Sequence, residues 1–180
     1  MYDIREGWML ETGRLIITEF TPDMAASVSE QSLDEANRRF LPDEVFETEE
    51  IAAEVIADLS ALYGTTDSPL VYPVLLKQEA QAAKHIGHVE AVPLEEGGWE
   101  IGYHIGGAYT GHGYVAEAVR AFVPVMLERL GIDEMCGVCH AENVASCRVL
   151  ERAGFSLVFD GVGQYQGAEA PVRKYVFRRS

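Results

Sequence analysis

Positive charge, cysteine and long apolar runs are all scarce in this sequence. Lys and Arg together number 14 against 29 Asp and Glu, a formal net charge of −15. A surface that acidic repels nucleic acid unless a basic patch is set apart. The nearest to one, Arg173-Lys174 with Arg178-Arg179, is short. Nucleic acid is therefore not an expected partner, and cationic substrates are favoured. No stretch approaches the ~20 apolar residues of a spanning helix, so no membrane partner is expected. The opening MYDIREGWML mixes charges of both signs without an apolar core, unlike an export signal. A cytoplasmic chain is the expectation, and its odd number of cysteines, three, suits reduced thiols there.

Cys136-Gly137-Val138-Cys139-His140 spells C-x-x-C-H, the attachment pattern of c-type haem and half of a zinc site. On a strand, residues three apart point to opposite faces, so one haem or one zinc could not use both sulfurs. No second C-x-x-C exists, and Cys147 stands alone. His85 and His88 form H-x-x-H, and strict alternation places them on opposite faces too. Neither haem nor metal is expected. Cys136 and Cys139 read as small buried apolar residues.

At 180 residues the chain suits one domain, residues 1–180, without repeats or low-complexity linkers. Strands are expected at Arg14–Phe20, Leu70–Lys77, His85–Val92, Trp99–Ile105, Asp133–His140, Phe155–Phe159 and Val172–Phe177. A helix should start at Thr21-Pro22 and run to about Phe40, with a break near Gln31-Ser32. Thr48 should cap another through about Leu62, with Glu49 and Glu50 at its positive end. Further helices are expected at Tyr114–Leu130 and Val144–Ala153, each closed by a glycine, Gly131 and Gly154. Glu95-Glu96-Gly97-Gly98 reads as a hairpin loop. The order β-α-α-β-β-β-α-β-α-β-β implies an α/β (α+β) domain with a mixed sheet of about six to seven strands flanked by helices.

Between a strand and the long helix lies Gly106-Gly107-Ala108-Tyr109-Thr110-Gly111-His112-Gly113-Tyr114. Glycines permit a tight turn and leave amides uncovered, and a helix start adds free N–H groups at the positive end of its dipole. Such a loop can cradle phosphate without lysine. It is not a Walker A loop, because no Gly-Lys-Ser/Thr follows. G-x-G-x-x-A fits Gly111-Gly113-Ala116, but no N-terminal βαβ unit supports a dinucleotide site.

Downstream stands Asn143-Val144-Ala145-Ser146, followed by Glu151-Arg152-Ala153-Gly154-Phe155. Together with Gly111-His112-Gly113-Tyr114-Val115-Ala116-Glu117-Ala118 and the N-terminal Glu11-Thr12-Gly13-Arg14-Leu15-Ile16-Ile17, this resembles the GCN5-related N-acetyltransferases (GNAT). Within them it is most similar to the branch that acetylates N-terminal amines of ribosomal proteins. The likeness spans nearly the whole chain. Two departures stand out: Ala108 replaces the family's Gln or Arg, and Pro124 sits inside the motif's helix, where a kink near Arg120 is expected.

The resemblance implies acetyl-CoA as co-substrate, lying in a gap where Trp99–Ile105 and Asp133–His140 splay apart. The pantetheine arm would follow the backbone of His104, Ile105 and Gly106. The pyrophosphate would meet the amides of Gly111, His112, Gly113, Tyr114, Val115 and Ala116. Asn143 would bond the pantetheine and Ser146 would lie near the thioester. The acceptor would be a peptide N-terminus or a small amine, attacking the thioester directly. Glu100 or Glu90 would take the proton. Ser146, Tyr165 or Tyr103 would serve the leaving thiolate. Acceptor loops are expected at Arg38–Glu50 and Gly161–Pro171, and a C2 homodimer is the default assembly. Ala108 leaves a second reading open: an acyl-CoA-binding sensor or interaction module without turnover.

Overall fold

The computed structural model describes residues 8–40, 44–79 and 82–179. Eight strands form one sheet: β1 (Met9–Glu11), β2 (Leu15–Thr18), β3 (Leu70–Leu76), β4 (Lys84–Pro93), β5 (Trp99–Ile105), β6 (Glu134–His140), β7 (Ser156–Tyr165) and β8 (Ala168–Arg178). Their spatial order is β1-β2-β3-β4-β5-β6-β8-β7. Every neighbouring pair is antiparallel except β5 and β6, which are parallel. The helices are α1 (Ala25–Ser32), α2 (Glu35–Phe40), α3 (Glu49–Ala61), α4 (Tyr114–Leu130) and α5 (Val144–Ala153).

Both faces of the sheet are covered at its centre, while the edge strand β7 is largely exposed. Tyr72 of β3 packs on Phe122 of α4, and Tyr103 of β5 reaches Ser146 of α5. On the other face, His85 of β4 meets Ser27 and Gln31 of α1. This two-sided burial explains why β2 and β3 read as unbroken apolar runs: all four residues of β2 and the first six of β3 are buried.

Several sequence expectations change. The sheet has eight strands rather than six to seven, because the short β1 pairs with β2 ahead of the expected first strand. The helix expected from Thr21 to Phe40 is a 3₁₀ turn at Pro22–Met24 followed by α1 and α2, broken at Leu33-Asp34. Thr21 makes no cap bond, its hydroxyl turning to Asp23 instead. Thr48 does cap α3, accepting from the Ile51 amide at 3.3 Å. Gly161–Pro171 is not a loop. It belongs to the β7–β8 hairpin, turned at Gln166-Gly167, where both residues have positive φ. Residues 41–43 of the other expected acceptor loop lie outside the described residues. α4 runs through Pro124 as one helix, with that proline on its exposed side.

One irregularity in β4 matters most. Val74 pairs with Gly87, but Leu75 pairs with His85, so Ile86 is an extra residue. A bulge shifts the phase of alternation by one. His85 and His88, expected on opposite faces, therefore line the same cavity together with His104.

Candidate active site

The cofactor side is built from backbone. Gly111 and Gly113 have φ of +80° and +78°, conformations that residues with a side chain rarely adopt. They swing the chain from the 3₁₀ turn at Gly107–Tyr109 into α4, whose first amides face outward with no side-chain cap. Sequence reasoning missed the clasp that holds this loop. Arg14, at the start of β2, donates through Nε to Glu117 Oε2 at 2.6 Å and through Nη1 to the His112 carbonyl at 3.0 Å. Its guanidinium also stacks 4.6 Å from the Tyr114 ring centre. Thr12 donates to Glu117 Oε1 at 2.6 Å. Burial works against the Glu117 charge, but bonds from Thr12 and Arg14 outweigh it and hold its pKa below the usual range. The N-terminal motif and the glycine-helix motif are thus two halves of one contact, which their joint presence in the sequence could have signalled.

β5 and β6 pair at a single position, Glu100 with Cys136, and then diverge. The fork expected from the resemblance is therefore present, with the backbone of His104–Gly106 on its β5 arm. Glu100 sits at the fork itself, its Oε1 accepting from the Val138 amide of β6 at 3.2 Å. Burial raises its pKa and that amide lowers it, leaving it above the usual value. Across the fork, the Ser146 hydroxyl lies 2.8 Å from the Tyr103 hydroxyl, which also donates to the Ser146 carbonyl. Burial keeps the Tyr103 phenol protonated well beyond its usual range. Asn143 caps α5, its Oδ1 accepting from the Ser146 amide at 3.1 Å.

On the α1 face, acids and imidazoles from several elements converge. Glu90 of β4 lies opposite Gly102 of β5. Its Oε1 is 2.0 Å from where a Cβ on residue 102 would sit, so only glycine there leaves the carboxyl its place. Burial pushes the Glu90 pKa up to about 7, against the pull of His88 and with the help of Glu44 and Glu100. His88 Nε2 is paired with Glu44 Oε2 at 3.3 Å. Burial disfavours the imidazolium, but Glu44 and Glu90 outweigh it and raise the His88 pKa. Ligand atoms of Glu44, His88 and Glu90 lie within 4.8 Å of one another, close enough to bracket a cation. His88 and Glu44 already neutralise each other, and the arrangement also suits proton transfer. Beside them His85 and His104 are held neutral, burial lowering their pKa values to about 3 and about 4. Val28, Gln31, Glu44, Phe46, His85 and His104 line a small, partly open cavity there. Two buried atoms in it, Gln31 Oε1 and His85 Nε2, have no hydrogen-bond partner among the described residues.

Tyr165 is at the end of β7, not in a loop. Its hydroxyl donates to the Phe40 carbonyl at 3.3 Å, and its ring meets His140 edge-on. Its hydroxyl is turned to Phe40, while its phenol lies near enough to that of Tyr103 to help raise the Tyr103 pKa. Cys136 and Cys139 do fall on opposite faces of β6, the second fully buried. Cys147, however, does not stand alone, because its sulfur touches that of Cys139.

A family model of the acetyltransferase (GNAT) domain matches residues 14–156, and the chain belongs to that family. Its activity is acetyl-CoA-dependent N-acetyl transfer. Among curated relatives, the N-acetyltransferase YnaD of Bacillus subtilis (strain 168), itself uncharacterized, is 27% identical over 145 residues, 81% of each chain. A GNAT-family acetyltransferase of Bacillus anthracis has the same fold, with a TM-score of 0.76 at 22% identity over 95% of this chain and 98% of that one. So does RimL, a ribosomal L7/L12 α-N-protein acetyltransferase solved with coenzyme A joined to one of its cysteines as a disulfide. Its TM-score is 0.76 at 16% identity, over 96% of this chain and 98% of that one. Among the described residues no helix is long and apolar enough to cross a membrane.

Proposed function

We propose that this enzyme acetylates a primary amine, either a peptide N-terminus or a small amine, held on the α1 face of the β5–β6 fork, and that Glu90 accepts its proton. The observation that carries this reading is the Glu90 carboxyl poised near pKa 7 over Gly102, beside the fork. A general base works best with a pKa near the operating pH. Glu100 is the less suited of the two carboxylates, since the Val138 amide already occupies one of its oxygens.

Acetyl-CoA fits the residues present. Amides of Gly111–Ala116 offer donors to its pyrophosphate, the open edge of His104–Gly106 offers partners to the pantetheine, and Asn143 and Ser146 flank the fork. The neutral amine attacks the thioester carbonyl, the C–S bond breaks, and the amine proton passes to Glu90. An α-amine, with a pKa of about 7.7–8.0, is neutral more often than a lysine side chain. The Ser146 hydroxyl, 2.8 Å from that of Tyr103, turns to donate a hydrogen bond to the leaving thiolate, which takes its proton from solvent. No covalent enzyme intermediate is formed, so Cys147 is not needed as a nucleophile. Of the two unpartnered atoms, Gln31 Oε1 complements an N–H or O–H group on the acceptor, and His85 Nε2 complements a donor or an acceptor according to its tautomer.

The test is calorimetric titration with acetyl-CoA, followed by thiol release with a panel of peptides and amines, for the wild type and Glu90→Gln. Binding with turnover lost in the variant supports the reading. Binding without turnover on any amine would leave an acyl-CoA-binding module. No binding up to about 1 mM, a free energy no better than about −4 kcal/mol, would sink it.

A further inference from the structure

The acetyl-transfer reading uses none of the three cysteines, yet two of them meet in the core. Cys139 on β6 and Cys147 in the first turns of α5 hold their Sγ atoms 3.1 Å apart, and each residue is 2% exposed. Cys136 lies on the opposite face of β6 and is excluded from the pair. We propose that Cys139 and Cys147 form an oxidative modification site, a dithiol that a peroxide-class oxidant converts to an internal disulfide. The S–S bond is about 2.05 Å long, so the sulfurs must close by only about 1 Å.

The pair is asymmetric in a way that orders the chemistry. Nη1 of Arg173 lies 3.8 Å from the Cys147 sulfur. The Arg173 side chain is 33% exposed and paired with Asp160. A partly exposed guanidinium at that sulfur marks the side from which peroxide approaches, and it offers an N–H to the departing hydroxide. Cys139 has the opposite setting. Burial, then its bond to Cys147, pushes its thiol up to about 12. Cys147 is thus the attacking sulfur and Cys139 the resolving one. The Cys147 thiolate attacks one peroxide oxygen, the O–O bond breaks, and a sulfenic acid and hydroxide form. The Cys139 sulfur then attacks the sulfenic sulfur. The S–O bond breaks, its oxygen leaves with the Cys139 proton, and the first hydroxide is neutralised. In total, two thiols are oxidised to one disulfide and one peroxide is reduced to two waters.

The link has a structural consequence at the cofactor side. Cys147 follows Ser146, whose hydroxyl meets Tyr103, and both lie in the turn that Asn143 caps. Closing the sulfurs ties that turn to β6.

The experiment is thiol titration and peptide mapping of the native protein, freed of coenzyme A, after exposure to hydrogen peroxide. It needs no acetyl-transfer readout, so it stands or falls separately from the proposed activity. The expected result is a fall from three titratable thiols to one. A Cys139–Cys147 cross-linked peptide lighter by two hydrogens should accompany it, and dithiothreitol should restore all three thiols. Cys147→Ser should give no cross-link, and the wild-type peptide map decides the matter even if that variant folds poorly. Three thiols surviving millimolar peroxide for hours, a disulfide containing Cys136, or oxidation to sulfinic acid without a cross-link would each overturn the proposal.

Discussion

The two sides of the β5–β6 fork are built on opposite principles. The proposed cofactor side uses main chain: glycines with positive φ, the open first turn of α4, and one arginine clasp fixing the loop from outside. The proposed acceptor side uses buried and half-buried side chains, Glu90, His88, Glu44, His85 and His104, with charges that desolvation disfavours. A backbone cradle holds a phosphate without tuning, because amide dipoles do not titrate. A cluster of carboxylates and imidazoles is useful because it titrates, and it carries a cost in stability. Changes on the first side should therefore alter binding, and changes on the second should alter rate and pH dependence.

The largest expected effect falls on the acceptor side. Glu90→Gln should lower kcat by about 10²–10⁴-fold, the usual contribution of a general base, while calorimetry finds acetyl-CoA affinity unchanged. In the wild type, activity should rise with pH through about 7, as Glu90 loses its proton. The mirror experiment is Gly113→Val. With φ at +78° and only the Arg14 guanidinium within 4 Å, the strain is conformational rather than steric. Acetyl-CoA should bind about 10- to 100-fold more weakly, from about 1–3 kcal/mol of backbone strain.

Two subtler changes sharpen the contrast. His88→Gln removes the charge that holds the Glu90 pKa down and frees Glu44 to push it up. The rising limb of a pH–rate profile should move to higher pH, and a merely structural role for His88 would leave it in place. Arg14→Ala should weaken acetyl-CoA by about 3- to 10-fold in the same titration, through the loss of charge-assisted bonds to Glu117. A separate effect falls on stability rather than on binding or rate. Glu90 has its pKa raised on folding from 4.5 to about 7. Its contribution is fully present below pH 4.5, where both states are protonated, and is lost as pH rises to about 7. Glu90→Gln should remove that loss and be about 1–3 kcal/mol more stable than the wild type at pH 8, but not at pH 4, by urea unfolding.

The same division decided what could be read before the fold was known. Tyr114–Leu130 and Val144–Ala153 have the bounds that their caps and periodicity predict. The glycine loop could be singled out because its conformation rests on residue types adjacent in the chain. The acceptor cluster did not. Its members come from β4, β5, α1 and the segment before α3, and it is the bulge at Ile86 that groups His85 with His88, which strict alternation would have kept apart. Nothing local marks a bulge inside an apolar strand. Nor did spacing reveal that Cys139 and Cys147 touch, since that contact depends on how α5 lies against β6. The resemblance put Glu100 ahead of Glu90, and the contacts that favour the reverse order, the Val138 amide on Glu100 and Gly102 beside Glu90, lie on neighbouring strands that the sequence alone did not bring together.

The clasp between Arg14 and Glu117 joins residues 103 positions apart. Translation proceeds at about 5–20 residues per second, so Arg14 emerges about 5–20 s before its partner exists. Through that interval the N-terminal strand has no α4 to close on. The proposed phosphate loop is in turn finished only when that earlier-made segment returns to meet it. Competence to hold the proposed co-substrate therefore waits on α4, long after the strand that clasps it has been made.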